Sequence, residues 1–288
     1  MKLSTSDTGA AVPTSNAPSP PAKHNHIPEL PKCNNGHAVA PTSKFCPQCG
    51  VGVDAIIAHI GDTLGFDKEK WAPAPNGYPN SLALCVIDAV YSLNAQYTGV
   101  VNILNCYRTV RRNEGGNPEI DSLNDLAATL EKHGANCLFN NRQLGPGTKK
   151  LKADIIAEVT KRLLELRVSS VAEFRERYSV GNEKQIAELK NAWLGVKGLG
   201  ETSWHYFALL TGEQDVKPDR MIVRFVAQAL NDNTVSPSQA RAAILDTAKA
   251  LEIEPRVLDH AIWSYQRNSR NNISNKWQRC ENCKKVED

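Results

Sequence analysis

The chain lacks any apolar run approaching the roughly 20 residues that a membrane helix needs. Its start, "MKLSTSDTGAAVPTSN", lacks the hydrophobic core of a secretory signal, so a cytoplasmic protein is expected. Alternating apolar and polar residues never persist over a useful strand length, and no internal repeat is present. Sheet and solenoid architectures are therefore not expected. Charge of one sign is also scarce. The net charge is only +3, and Lys2, Lys23, Lys32 and Lys44 against Asp7 and Glu29 place +2 of it before residue 54. The remainder is close to neutral, a weak electrostatic footprint for a nucleic-acid binder. Any such role must rest on local geometry.

What is present is enough for a real core: 288 residues, 41% of them apolar. Residues 1–30 are rich in Ser, Thr, Pro, Ala and Asn, cannot offset their ordering entropy by burial, and read as a disordered tail that contains His24 and His26. From about residue 54 the pattern is helical and the expected class is all-α. "SLALCVIDAVYSL" (81–93) is apolar nearly throughout and reads as a central buried helix. "GVVNILNCYRTVRR" (99–112) is amphipathic, with its basic end where the helix dipole prefers it. "DSLNDLAATLEKHG" (121–134) opens on an Asp/Ser cap and stops at Gly. Helical patterns continue through "LKADIIAEVTKRLLEL", "SVAEFRERY", "EKQIAELKNAWLGV", "SWHYFALLTG", "DRMIVRFVAQALN", "SPSQARAAILDTAKALE" and "PRVLDHAIWSYQRN". The expected division is a tail (1–30), a metal module (31–53), a helical domain (54–270) and a C-terminal tail (271–288).

Eight cysteines in a chain expected inside the cell do not suggest a disulfide framework. Cys85, Cys106 and Cys137 lie singly in apolar helical patterns, where a thiol behaves as a small hydrophobe. "CNNGHAVAPTSKFCPQCG" is different. It gives Cys33-x3-His37-x8-Cys46-x2-Cys49, four soft donors suited to tetrahedral Zn²⁺, with Gly50 permitting a tight knuckle. The spacing is shorter than that of a DNA-reading finger, and no groove-reading helix follows. It resembles the short zinc ribbons of bacterial proteins. All four positions are filled by protein, so a structural rather than catalytic zinc is expected. Cys280 and Cys283 form half a site: either a second metal site completed by another chain or a pair of exposed thiols.

"GVKGLGETSWHYFALLTGEQDVKPDRM" (195–221) carries the functional question. Gly198-Leu199-Gly200 separates two apolar helical segments, and glycines there allow a tight turn. Such a turn bares N–H groups at the next helix start, where a phosphate is favoured. Downstream, Pro218-Asp219 before an apolar-periodic run is an N-cap signal. A capping carboxylate sits in the positive end of the helix dipole. It could stabilise a sugar cation, as carboxylates do in glycoside cleavage, or orient a water.

On these residues the chain resembles the helix-hairpin-helix superfamily of base-excision DNA glycosylases, with "VKGLG" as hairpin and "PDRMI" as the Asp-bearing segment. "YFALL" (206–210) is similar to the 3-methyladenine glycosylase branch, and "CVIDAVYSLNAQYTGVVNIL" is similar to the family's helix, polar turn and helix. The resemblance implies Asp219 as the catalytic carboxylate. It implies Lys197, Gly198, Leu199, Gly200 and Thr202 as hairpin contacts to DNA, and Asn94 and Gln96 as the polar wedge. Trp204, His205, Tyr206 and Tyr97 are candidates to line a base pocket. Thr202 stands where bifunctional members carry a Schiff-base lysine, so lyase activity by that route is not expected. The family's four-cysteine iron–sulphur loop is missing, and no such cluster is expected. Trp204 replaces a small Ala and would crowd the hairpin; Lys197 replaces a Pro. The expectation is a monofunctional DNA glycosylase, nucleoid-associated if it binds DNA, with a damaged duplex as partner and a protein partner reached through the zinc ribbon. The alternative is a catalytically inactive relative that binds DNA or protein.

Overall fold

The computed structural model describes Cys46, residues 52–139 and residues 141–268. The all-α expectation holds over these residues. They form α1 (Val53–Thr63), α2 (Leu82–Tyr91), α3 (Tyr97–Asn113), α4 (Leu123–His133), α5 (Ala135–Phe139), α6 (Lys152–Glu165), α7 (Val171–Arg175), α8 (Glu183–Leu194), α9 (Glu201–Leu210), α10 (Arg220–Leu230), α11 (Pro237–Ala250) and α12 (255–268). No strand occurs among them, only an isolated bridge between Leu144 and Leu151. No helix among the described residues is long and apolar enough to cross a membrane.

The termini of these helices follow from local chemistry. Ser122 Oγ accepts the Asp125 N–H at 3.3 Å, and Asp125 Oδ2 accepts the Ser122 N–H at 2.9 Å, so two of the orphan donors at the start of α4 are satisfied. Gly134 ends that helix with φ +74°. Two elements lie outside the sequence expectation. α1 begins at the edge of the expected metal module, and the short α5 lies between two longer helices.

Two hydrophobic cores result. The larger unites α2 to α9, with every residue of α2 buried. The smaller unites α1, α10, α11 and α12 around Phe225, Ile244 and Ile262, and takes in Trp71 and Val216. At roughly 1.5–3 kcal/mol per fully buried large apolar side chain, each core is a substantial stabilising unit. The N-terminal helix α1 thus joins the C-terminal helices, and the chain passes between lobes before α2 and after α9.

The cysteine expectation needs correction. Cys85 is buried, but Cys106 and Cys137 are exposed. On α3 the buried stripe is Val100, Ile103, Leu104 and Tyr107, and Cys106 falls off it.

One unforeseen residue fixes the α2–α3 turn. Lys152, buried at the start of α6, donates through Nζ to the carbonyls of Tyr91 (2.9 Å) and Leu93 (2.6 Å) and to Gln143 Oε1 (3.1 Å). It satisfies carbonyls at the end of α2 that the helix itself leaves open. Burial lowers its pKa to about 8.

Candidate functional site

A cleft of about 2460 Å³ separates the two lobes. The large lobe supplies the α2–α3 turn, Tyr78, the hairpin and the cleft-facing side of α9. The small lobe supplies Lys217 to Met221, Arg241 and one side of α12. The sequence brings these together through specific locks. Gly77 has φ +64°, and a Cβ there would meet the Leu210 carbonyl oxygen at 2.3 Å. The Tyr78 N–H instead donates to that oxygen at 2.7 Å, which aims Tyr78 at the cleft. Thr202 Oγ1 donates to the Pro218 carbonyl at 3.3 Å and fastens the start of α9 to the segment carrying Asp219.

Asp219 is the N-cap of α10. Its Oδ1 accepts the N–H groups of Met221 (2.7 Å) and Ile222 (3.3 Å). Among the described residues no donor reaches Oδ2, and the half-buried side chain lines the cleft beside Gly198, Leu199, Gly200 and Thr202. One oxygen therefore holds the helix, and the other is open.

The hairpin is less open than its glycines suggest. Gly198 has φ +104°, and an added Cβ would come within 2.9 Å of Ile155 Cδ1, so glycine is required there. Gly200 has an ordinary extended backbone with open space around it. The Leu199 N–H donates to the Val196 carbonyl (3.0 Å) and the Gly200 N–H to Ser203 Oγ (3.0 Å). The amides left for an anion are those of Gly198 and of Glu201 and Thr202 in the first turn of α9. Lys197 is exposed but does not line the cleft. Asn94 and Gln96 are exposed and also line the cleft, Asn94 in the left-handed region at φ +50°.

The aromatic candidates separate. Trp204 is 2% exposed and packs on Phe174, Tyr178, Trp193 and Phe207. It belongs to the core and does not line the cleft, because it occupies the inward face of α9. Tyr97, His205 and Tyr206 do line it. Of the metal candidates, Cys46 is buried, while Cys33, His37 and Cys49 lie outside the described residues, as do Cys280 and Cys283. Among the described residues no cluster of His, Cys, Asp and Glu is arranged to hold a metal.

Several cleft residues carried no expectation. Asp88, fully buried in α2, accepts hydrogen bonds from Tyr78 Oη (2.8 Å), Ser92 Oγ (2.7 Å) and Tyr206 Oη (3.1 Å). The signal was a lone acid in an otherwise apolar helix. Lys217 places Nζ 3.4 Å from the centre of the Tyr206 ring, with no carboxylate within 4.0 Å among the described residues. Burial lowers its pKa, against the pull of Asp219, Asp259 and Asp88. Asp259 on α12 accepts the Lys217 N–H at 2.9 Å. Burial, with the Asp219 charge adding to it, pushes its carboxyl up to about 8 despite that bond. Nothing local in "PRVLDHAIW" marks it. Six cationic side chains (Lys190, Lys217, Arg220, Arg241, Arg256, Arg267) line the cleft against four acids (Asp88, Glu201, Asp219, Asp259). On α12, His260 and Trp263 stack at 5.7 Å, with the Arg267 guanidinium 5.1 Å from the Trp263 ring centre.

The chain belongs to the family described as a domain of unknown function (DUF8548), which matches residues 54–267, from α1 into α12. No curated protein and no solved structure matches the chain.

Proposed function

We propose that the protein is a monofunctional DNA glycosylase of the helix-hairpin-helix kind, which removes a damaged base by cleaving its N-glycosidic bond. The observation that carries this reading is Asp219: Oδ1 caps α10 while Oδ2 is open to the cleft beside the hairpin. A base extruded from the stack enters the cleft, which Tyr206 and Trp263 line. Asp219 stabilises the positive charge that grows on the sugar as the bond breaks. The amides of Gly198, Glu201 and Thr202 receive a backbone phosphate, and the cationic excess of the cleft favours the strand. Asn94 and Gln96, which also line the cleft, fill the space the base vacates. Position 202 offers a hydroxyl already committed to the Pro218 carbonyl, so strand cleavage through an amine at that position is absent.

In the same reading, Cys33, His37, Cys46 and Cys49 hold a structural zinc ion in a ribbon ahead of the helical domain. About one equivalent of zinc in purified protein supports this, and less than half an equivalent removes it.

The test of function is incubation with duplexes carrying alkylated, deaminated or oxidised bases, then alkali to cut abasic sites. Strand breaks from at least one lesion are expected. A second reading, an inactive relative that binds DNA, is favoured by one observation: the Leu199 and Gly200 amides are already used within the protein. Salt-dependent binding without base release selects it.

A further inference from the structure

Asp219 and Asp259 come from different helices, yet one peptide segment holds both. The Asp219 N–H donates to the Lys217 carbonyl at 2.7 Å, and the Lys217 N–H donates to Asp259 Oδ1 at 2.9 Å. The two carboxyl groups repeat one design. Each uses Oδ1 to hold backbone, and among the described residues neither Oδ2 receives a donor. Both side chains line the cleft. Between them the Lys217 side chain turns away onto the Tyr206 ring and pairs with neither. We propose that Asp259 is the general acid of the site, protonating an uncharged base as it leaves while Asp219 stabilises the sugar. This rests on the glycosylase reading above and extends it to a substrate class: bases that depart poorly unless they gain a proton.

The protonation states required are those the surroundings impose. Asp259 faces Lys217 and Asp219 from the preceding segment, with Asp215 behind them and Arg256 and His260 as neighbours on its own helix. Its carboxyl titrates at about 8, so it carries its proton at neutral pH. Paired carboxyl groups pushed apart in this way divide into an acid and a charge stabiliser. In the step itself the C1′–N bond breaks with its electron pair on the base nitrogen, and the Asp259 proton passes to the base. Water adds to C1′ and gives its proton to the Asp259 carboxylate, which restores the acid.

The experiment compares wild type and Asp259→Asn in single-turnover base release from two duplexes. One carries hypoxanthine, which is uncharged. The other carries 7-methylguanine, which is already cationic and needs no added proton. The asparagine keeps the acceptor for the Lys217 N–H and removes the acid. The expected result is that the substitution slows hypoxanthine release about 100-fold more than 7-methylguanine release. Wild-type hypoxanthine release should also fall as pH rises through about 8. Equal slowing of both bases, no slowing of hypoxanthine release, or a hypoxanthine rate flat from pH 6 to 10 overturns the proposal. Wild-type release of 7-methylguanine alone overturns it and leaves the glycosylase reading standing. Release of neither base by wild type removes the proposal, and failure across the wider lesion panel removes the glycosylase reading as well.

Discussion

The connection Glu213–Asp219 is treated in opposite ways at its two ends. At the first end every charge is matched. Glu213 pairs with Arg175 at 2.9 Å and accepts from Ser179. Asp215, with no exposed surface, lies 2.7 Å from His205 Nδ1 and accepts from Tyr178 Oη and Arg241 Nε, each at 2.7 Å. Burial alone would raise the Asp215 pKa, but His205, Arg241 and Tyr178 together hold it below the usual carboxylate range. At the second end Lys217 has no carboxylate partner within 4.0 Å among the described residues, and Asp219 and its neighbour Asp259 each leave an oxygen open. Matched buried charge builds structure, whereas unmatched charge facing a cleft is where chemistry is found.

Substitution of Asp215 is the strongest way to break that contrast. Asp215→Ala leaves Arg241 without its buried counter-charge and His205 Nδ1 and Tyr178 Oη without their hydrogen-bond partner, and should cost about 3–5 kcal/mol in chemical denaturation. A loss under 1 kcal/mol would show that the matched end is not structural. Asp219→Asn should do the reverse. Asparagine caps a helix about as well as aspartate, so stability should stay within about 0.5 kcal/mol. On the proposed glycosylase reading, base release should fall about 100-fold or more, as when one preorganised electrostatic group is removed from a site.

The hairpin glycines sharpen the same distinction at smaller scale. Gly198→Ala must adopt φ +104° against Ile155 and should cost about 1–2 kcal/mol, measured by thermal melting. Gly200→Ala meets open space and should stay within about 0.5 kcal/mol.

A pH dependence is expected at the unmatched end. The Asp259 carboxyl titrates at about 8 when folded, above the ordinary value near 4. The folded state therefore holds the proton more tightly, and this contribution to stability is full below about pH 4 and is lost progressively as pH rises from there through about 8. Asp259→Asn should melt well above wild type at pH 9, by about ten degrees or more, and show a smaller gap at pH 5. A gap that does not change with pH contradicts the shift.

The same contrast explains what the sequence disclosed. Helices were readable because their signals are local: Ser122 with Asp125 opens α4, Gly134 closes it, and the apolar run at 82–91 is buried throughout. Asp219 was readable as a cap for the same reason. Asp259 and Lys152 were not, because their roles depend on partners 42 and about 60 residues away in the chain. Trp204, expected to crowd the hairpin, turned inward because the large lobe has an aromatic cluster for it to join. The two hairpin glycines look alike in sequence, and only backbone angles tell the required one from the tolerant one.

Asp219 caps α10 with one oxygen and is proposed to serve the cleft with the other. Single-turnover release of a damaged base by wild type and Asp219→Asn, with melting temperatures taken on the same samples, tests it most directly. Release by wild type, loss of release in the variant and matching melting temperatures are expected. Release that survives the substitution, or that disappears together with the fold, contradicts it.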